Sequence, residues 1–284
     1  MNLHAARIHQ HSPGFHMGTR FEGDRLRRFA AVRPHADRGA AALRADHPAL
    51  QTGRTIFPST VRTADDAGRI FVGGHNNPKL GARVQVGPWR GMPIYHLTLE
   101  ERATCPRSCH EWATCYGNTM HLAKRWRVSR DLLTFMGDEL LWLRGKHPHG
   151  FVIRLHTLGD FPSPRYVGWW SMALRLLPEL HVFGYSAWPD GHPIQQMLER
   201  MNALFPQQSF IRFSRRQPSG QGFETTTIWR RAGAAKRVPE GMICPAQNGR
   251  TSCCATCGFC WHPALTQVPI VFMGHGRRSR GSGP

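Results

Sequence analysis

The sequence predicts an α/β protein: a partial (β/α) barrel-like parallel sheet with a C-terminal cysteine-rich metal-binding region. Three observations predict it. Strand-like and helix-like apolar runs alternate between residues 93 and 214, a cysteine-bearing loop directly follows the first strand of that series, and five more cysteines gather near the end of the chain. Alternation at this spacing means parallel βαβ units, because a parallel neighbour needs a crossover long enough to hold a helix.

Residues 1–66 mix His, Arg, Ala, Gly and Pro without a sustained period of 2 or 3.6, and AAVRPHADRGAAALRADHPAL is of low complexity. This stretch is expected to be a disordered basic extension. The α/β domain with its cysteine loop is expected over 67–235, and the cysteine-rich region and tail over 236–284. Arg69 to Val72 is the first strand-like run, followed by the turn-rich connector GGHNNPKLG.

From Pro93 the pattern becomes regular. Ile94 to Leu99 alternates like a strand and runs into the loop Cys105-x3-Cys109-x5-Cys115. Residues 117–145 carry helical signals, with Leu132, Leu133, Phe135, Met136, Leu140, Leu141 and Leu143 on a wide apolar face. Phe151 to Leu158 predicts a second strand ended by Gly159-Asp160, and Ser163-Pro164 opens a helix to about Leu177. His181 to Tyr185 is a third strand, 193–204 a third helix and Ser209 to Ser214 a fourth strand.

Ligands of such sheets gather at the carboxyl ends of the strands. The first cysteine loop lies at one such end and Gly159-Asp160 at another. Alternation places Arg154 and His156 on one face of their strand, opposite Ile153 and Leu155. Arg212 and Ser214 likewise oppose Ile211 and Phe213. These four, with Tyr185, Gly159 and Asp160, are the expected lining of a polar site; each also has an ordinary reading as a polar group satisfied inside the sheet.

The chain has 284 residues, with 37 Lys and Arg against 18 Asp and Glu, for a net charge of +19. Such a field attracts nucleic acid and other anions. Only Lys79, Lys124, Lys146 and Lys236 are lysines, so the charge is mostly arginine, a bias that a GC-rich genome also produces. No apolar run approaches the ~18 residues of a membrane span. The start MNLHAARIHQHSPGFH has histidines where a secretory signal has its apolar stretch, so a cytoplasmic protein without membrane contact is expected.

Cysteines in a reducing compartment are poor disulfide partners and good metal ligands. Cys105, Cys109 and Cys115 supply three thiolates from one short loop. That is one too few for a closed tetrahedral site, so the fourth position is filled from elsewhere or stays open for a small molecule. Cys254-x2-Cys257-x2-Cys260 has the spacing by which ferredoxin-like loops hold three irons of a [4Fe-4S] cluster, with Cys244 as a remote fourth ligand. The adjacent Cys253 offers a competing register. Both cysteine sets also fit structural zinc.

TCPRSC followed by ATCYG, then VIRLHTLGDFPS, then ICPAQ, CCATCGFCW and VFMGH occur in this order over residues 70–275. In these motifs the chain resembles the phage gene product 88 family, which implies a cysteine-rich protein of phages or prophages and leaves the chemistry open. More distantly it resembles radical S-adenosylmethionine enzymes, which begin with a strand, a three-cysteine loop and a helix and place a Gly-Gly-Glu-like motif after the second strand. The usual loop of those enzymes is x3 then x2 with an aromatic before the last cysteine; here the second gap is five residues and Tyr116 follows Cys115.

That second resemblance implies a site-differentiated [4Fe-4S] cluster at Cys105, Cys109 and Cys115, with S-adenosylmethionine held near Gly159 and Asp160 and Arg154, His156, Tyr185, Arg212 and Ser214 lining its cavity. The centre built from Cys244, Cys254, Cys257 and Cys260 would relay electrons or bind substrate. A different class of function is a zinc-stabilised basic protein that binds nucleic acid, although no helix-turn-helix, two-cysteine two-histidine finger or RNA-binding aromatic motif occurs. A third is a metal-dependent hydrolase using His156 and Asp160.

Overall fold

The computed structural model describes residues 42–66, 68–219, 222–228, 241–247 and 249–273. Its centre is a sheet of eight strands: β2 (Val72–Gly73), β3 (Ile94–His96), β5 (Phe151–Leu155), β6 (Leu180–Ser186), β7 (Ser209–Ser214), β8 (Glu224–Ile228), β10 (Ile270–Met273) and β9 (Met242–Ile243), in that spatial order. Only the β2–β3 pair is antiparallel. A separate parallel ribbon joins β1 (Val61–Arg62) to β4 (Arg125–Trp126). The mixed α/β class with a mostly parallel sheet is as expected. Among the described residues the edge strands β2 and β9 do not pair, so the sheet is open.

Three helices cover one face: α2 (Arg130–Lys146), α3 (Pro164–Leu176) and α4 (Pro193–Leu204), following the short α1 (Pro48–Thr52). Ser129 and Ser163 cap α2 and α3 by accepting the amides of Leu132 and Tyr166, which satisfies donors that a helix start leaves orphaned. The expected helix over 117–145 begins only at Arg130. Its apolar face starts at Leu132, whereas Tyr116–Thr119 form a 3-10 turn and Arg125–Trp126 pair with β1.

Pleating divides the core in two. Ile153, Leu155, Val182 and Ile211 face the helices and pack with Met136, Trp170 and Leu198. Val152, Phe183 and Phe210 face the other way, onto Trp89, Phe259 and Trp261. Trp89 and Trp261 stack there with centroids 5.5 Å apart and planes 11° from parallel. The C-terminal cysteine region is therefore the second layer of the molecule, and contains α5 (Cys254–Cys257).

The expected extension over 1–66 needs a correction. Residues 42–66 lie along the three-cysteine loop, with the Leu43 amide on the Ala113 carbonyl and Trp112 Nε1 on the Leu50 carbonyl. Polar side chains and backbone groups make these contacts, so no apolar period announced them. Residues 1–41 lie outside the described residues.

Candidate functional site

A cavity of about 710 Å³ opens at the carboxyl ends of the strands. One wall carries Cys105, Cys109 and Cys115 with Tyr116; the floor carries Arg154, Gly159, Asp160, Tyr185 and Ser214; the opposite wall carries Lys79, Cys244, Cys253 and Cys254. The volume is in the range of sites that bind small molecules and cofactors. Two cysteine sets about 130 residues apart in sequence thus border one space.

The first loop is held by buried charge. Glu101 and Arg125 are both fully buried and meet at 2.6 Å. Arg125 also donates to the carbonyls of Gly117, Met120 and Ala123 and to Thr60 Oγ1, so its guanidinium ties both ends of the loop to the ribbon. Thr55 Oγ1 donates to Glu101 at 2.7 Å, and Arg54 pairs with Glu100 at 2.8 Å. Arg102 reaches the Trp112 carbonyl and Asn118, which itself donates to the Ala113 carbonyl. None of these polar residues was singled out from the sequence. The only signal was the charged run Glu100-Glu101-Arg102 at a strand end, where charge is ordinarily solvated.

Thr104 joins the loop to the floor. Its hydroxyl donates to the Glu100 carbonyl and accepts the Asp160 amide at 3.0 Å. Gly159 has φ +82°, and a Cβ there would lie 2.6 Å from Thr104 Oγ1 and 2.8 Å from Leu99 Cβ. Only glycine allows that turn to approach the loop so closely.

Asp160 is oriented by backbone donors: Oδ1 accepts the Phe161 amide and Oδ2 the Ala187 amide, each at 2.7 Å. Burial pushes its carboxyl up to about 7, opposed by those two bonds and by Ser186. Burial likewise pushes Cys109 up to about 12, Cys115 up to about 11 and Cys105 well above the usual thiol range. Without a cation these thiols stay protonated; a bound metal centre is what would ionise them.

The second set sits behind the opposite wall. Cys244, Cys254, Cys257 and Cys260 line one small recess with Phe259 and Trp261, and Cys244 and Cys254 border the large cavity as well. Tyr185 Oη lies 3.0 Å from Cys260 Sγ. Lys79 and Arg154 are close enough for their charges to interact with this set. Arg154 stacks over Tyr185 with its guanidinium carbon 4.2 Å from the ring centre and donates to the Leu155 carbonyl.

Two expected lining residues have other roles. Arg212 is fully buried and donates to the carbonyls of Cys260, Leu265 and Val268, so it anchors the C-terminal region and does not border the cavity. His156 does not share the face of Arg154. The strand ends at Leu155, and the His156 ring beyond it meets Tyr166 Oη at 3.0 Å on the helical side while still bordering the cavity. Burial and the nearby Arg154 pull it down to about 3, so it is neutral.

Among the described residues, no three His, Cys, Asp or Glu side chains converge where one metal ion could be held. A single zinc holds all its thiolate ligands ~2.3 Å from one point. A four-iron cluster takes one thiolate per iron, so its sulfurs need not meet at a point. Among the described residues no helix is long and apolar enough to cross a membrane. Comparison of the chain with protein-family models, curated proteins and solved structures gives no match.

Proposed function

We propose that this protein is an iron-sulfur enzyme of the radical S-adenosylmethionine type. One observation carries the reading: Cys105, Cys109, Cys115 and the Gly159-Asp160 turn line a single cavity at the carboxyl ends of parallel strands. Three thiolates would bind three irons of a [4Fe-4S] cluster and leave the fourth iron toward the cavity. When bound, that cluster supplies the electron that breaks the carbon-sulfur bond of the sulfonium cofactor.

This chain's own residues have definable tasks. The Thr104 bridge fixes the distance between the loop and the floor. The amides of Phe161 and Ala187 each use one lone pair of the Asp160 carboxylate and leave acceptor capacity for the cofactor's ammonium group. An ammonium ion there would favour the ionised carboxylate that burial disfavours. Tyr116 and Leu158 add apolar surface for the rest of the ligand.

The test is anaerobic reconstitution with iron and sulfide, then reduction and addition of S-adenosylmethionine. The expected protein is brown, absorbs broadly near ~400 nm, and releases 5′-deoxyadenosine. Asp160→Asn should bind the cofactor at least roughly tenfold more weakly with unchanged iron, since a charge-assisted hydrogen bond becomes neutral. Iron-loaded wild-type protein that fails to bind S-adenosylmethionine would overturn the cofactor assignment. A colourless protein holding zinc after the same treatment would favour the structural-zinc alternative.

A further inference from the structure

We infer that Cys244, Cys254, Cys257 and Cys260 form a second, fully ligated [4Fe-4S] site whose inner edge is part of the cavity wall, and that Cys253 is not among its ligands. The sequence leaves the adjacent cysteines undecided. The fold separates them. Cys254 lines the recess together with Cys244, Cys257 and Cys260, whereas Cys253 is absent from that recess. Cys253 instead caps α5: its thiol lies 3.6 Å from Thr256 Oγ1 and 3.8 Å from Ser252 Oγ. Its sulfur also occupies the space beside Gly81, where a Cβ would lie 2.8 Å away.

Four thiolates around an iron-sulfur core leave net negative charge, which a buried site has to balance. The surroundings provide this. Lys79 and Arg154 line the cavity beside Cys244 and Cys254, close enough for their charges to act on the set, and the Tyr185 hydroxyl can donate to the Cys260 sulfur at 3.0 Å. Arg212 holds the Cys260 carbonyl, fixing the backbone of the last ligand. A cubane with four protein thiolates has no open iron, so its chemistry is gain and loss of one electron between its oxidised and reduced forms. Placed at the wall of the cavity, it would exchange that electron with whatever occupies the cavity. The site does not depend on the cofactor proposed for the first loop.

The experiment uses the full chain carrying Cys105→Ala, Cys109→Ala and Cys115→Ala, reconstituted anaerobically with iron and sulfide. It should retain about four irons and about four acid-labile sulfides per chain, half the wild-type content. Adding Cys254→Ala should abolish this remaining cluster, and adding Cys253→Ala should leave it. Should the Cys254 variant fail to fold, Tyr185→Phe in the triple variant gives a second reading: loss of a hydrogen bond to a ligand sulfur should move the dithionite-reduced cluster's midpoint to more negative potential. An iron-free triple variant, a triple variant that holds zinc instead, or iron lost with Cys253→Ala but kept with Cys254→Ala would overturn the inference. Failure of S-adenosylmethionine cleavage alone would leave this result intact and strike only the first site.

Discussion

The two cysteine regions border one cavity but are held in place by opposite means. The loop from Cys105 to Cys115 is clamped by charge: the buried Glu101–Arg125 pair, Arg102 with Asn118, and the 42–66 segment whose backbone and side chains reach across it. The set from Cys244 to Cys260 is held by apolar packing, with Trp261 stacked on Trp89 and close to Phe183, and by one arginine, Arg212, whose partners are carbonyls rather than a carboxylate. A polar clamp fixes direction, which under the proposed reading would suit a loop that leaves one position open. Apolar packing excludes water, which would suit the closed centre inferred for the second set.

The sharpest way to break this comparison is to remove each buried arginine. Arg125→Met leaves the Glu101 carboxylate buried without its cation and is expected to cost about 3–5 kcal/mol in urea unfolding. Pairing it with Glu101→Met should recover part of the loss, because no charge is then stranded although the Gly117, Met120 and Ala123 carbonyls still lack their donor. Arg212→Met is expected to cost less, about 1–3 kcal/mol, since carbonyls rather than a charge are left short of partners. Equal losses, or a larger loss at Arg212, would mean that the two regions are not held differently.

An effect smaller than that of Arg125→Met is expected from removing residues 1–60. The truncation takes Thr55 and Arg54 from Glu101 and Glu100, and Thr60 from Arg125. The loss should be about 2–3 kcal/mol, at roughly 2–4 °C of melting temperature per kcal/mol for a protein of this size. Iron bound by the first loop should fall while iron bound by the second set stays. Unchanged melting would show that the segment rests on the loop without bracing it.

A further test is a pH slope at the floor between the two regions. The native Asp160 carboxyl titrates near 7, above its ordinary 3.8, so from about pH 4 to 7 the native state holds a proton that the unfolded chain releases. Its contribution is therefore greatest in acid and is lost as pH rises through that window. His156 and His96, lowered to about 3 and about 4 from 6.5, act in the opposite sense and are lost as pH falls below 6.5. The measurement is thus the difference between wild type and Asp160→Asn in metal-free protein. Wild type should lose stability relative to the variant as pH rises from 4 to 7; a flat difference would mean that the carboxyl is hydrated.

Net charge illustrates where composition misleads. Arg102, Arg125 and Arg212 count toward the +19 but are buried and committed to carbonyls, Asn118 or Glu101. They brace the two cysteine regions and contribute no contact surface for a nucleic acid. A sum over residue types cannot distinguish an arginine in solvent from one that closes a loop.

What the sequence determined by itself was whatever depends on near neighbours. The helix starts at Ser163 and Pro193, the strand Ser209–Ser214, and the parallel βαβ order all follow from local period and capping, and they are where the residues placed them. The thiol groupings were equally legible, because cysteine spacing within a short segment is local. Tertiary structure alone decided the rest. Strands β8 and β10 and the short β1 carry weak local signals and exist because a neighbouring strand offers its ladder. Arg212 turned from the cavity and His156 crossed to Tyr166 because a buried polar group goes where a hydrogen-bond partner lies, and those partners are 48 to 56 and 10 residues away in the chain. Hydrogen bonds across such separations leave no period in a sequence; they exist only once the sheet has brought their partners together.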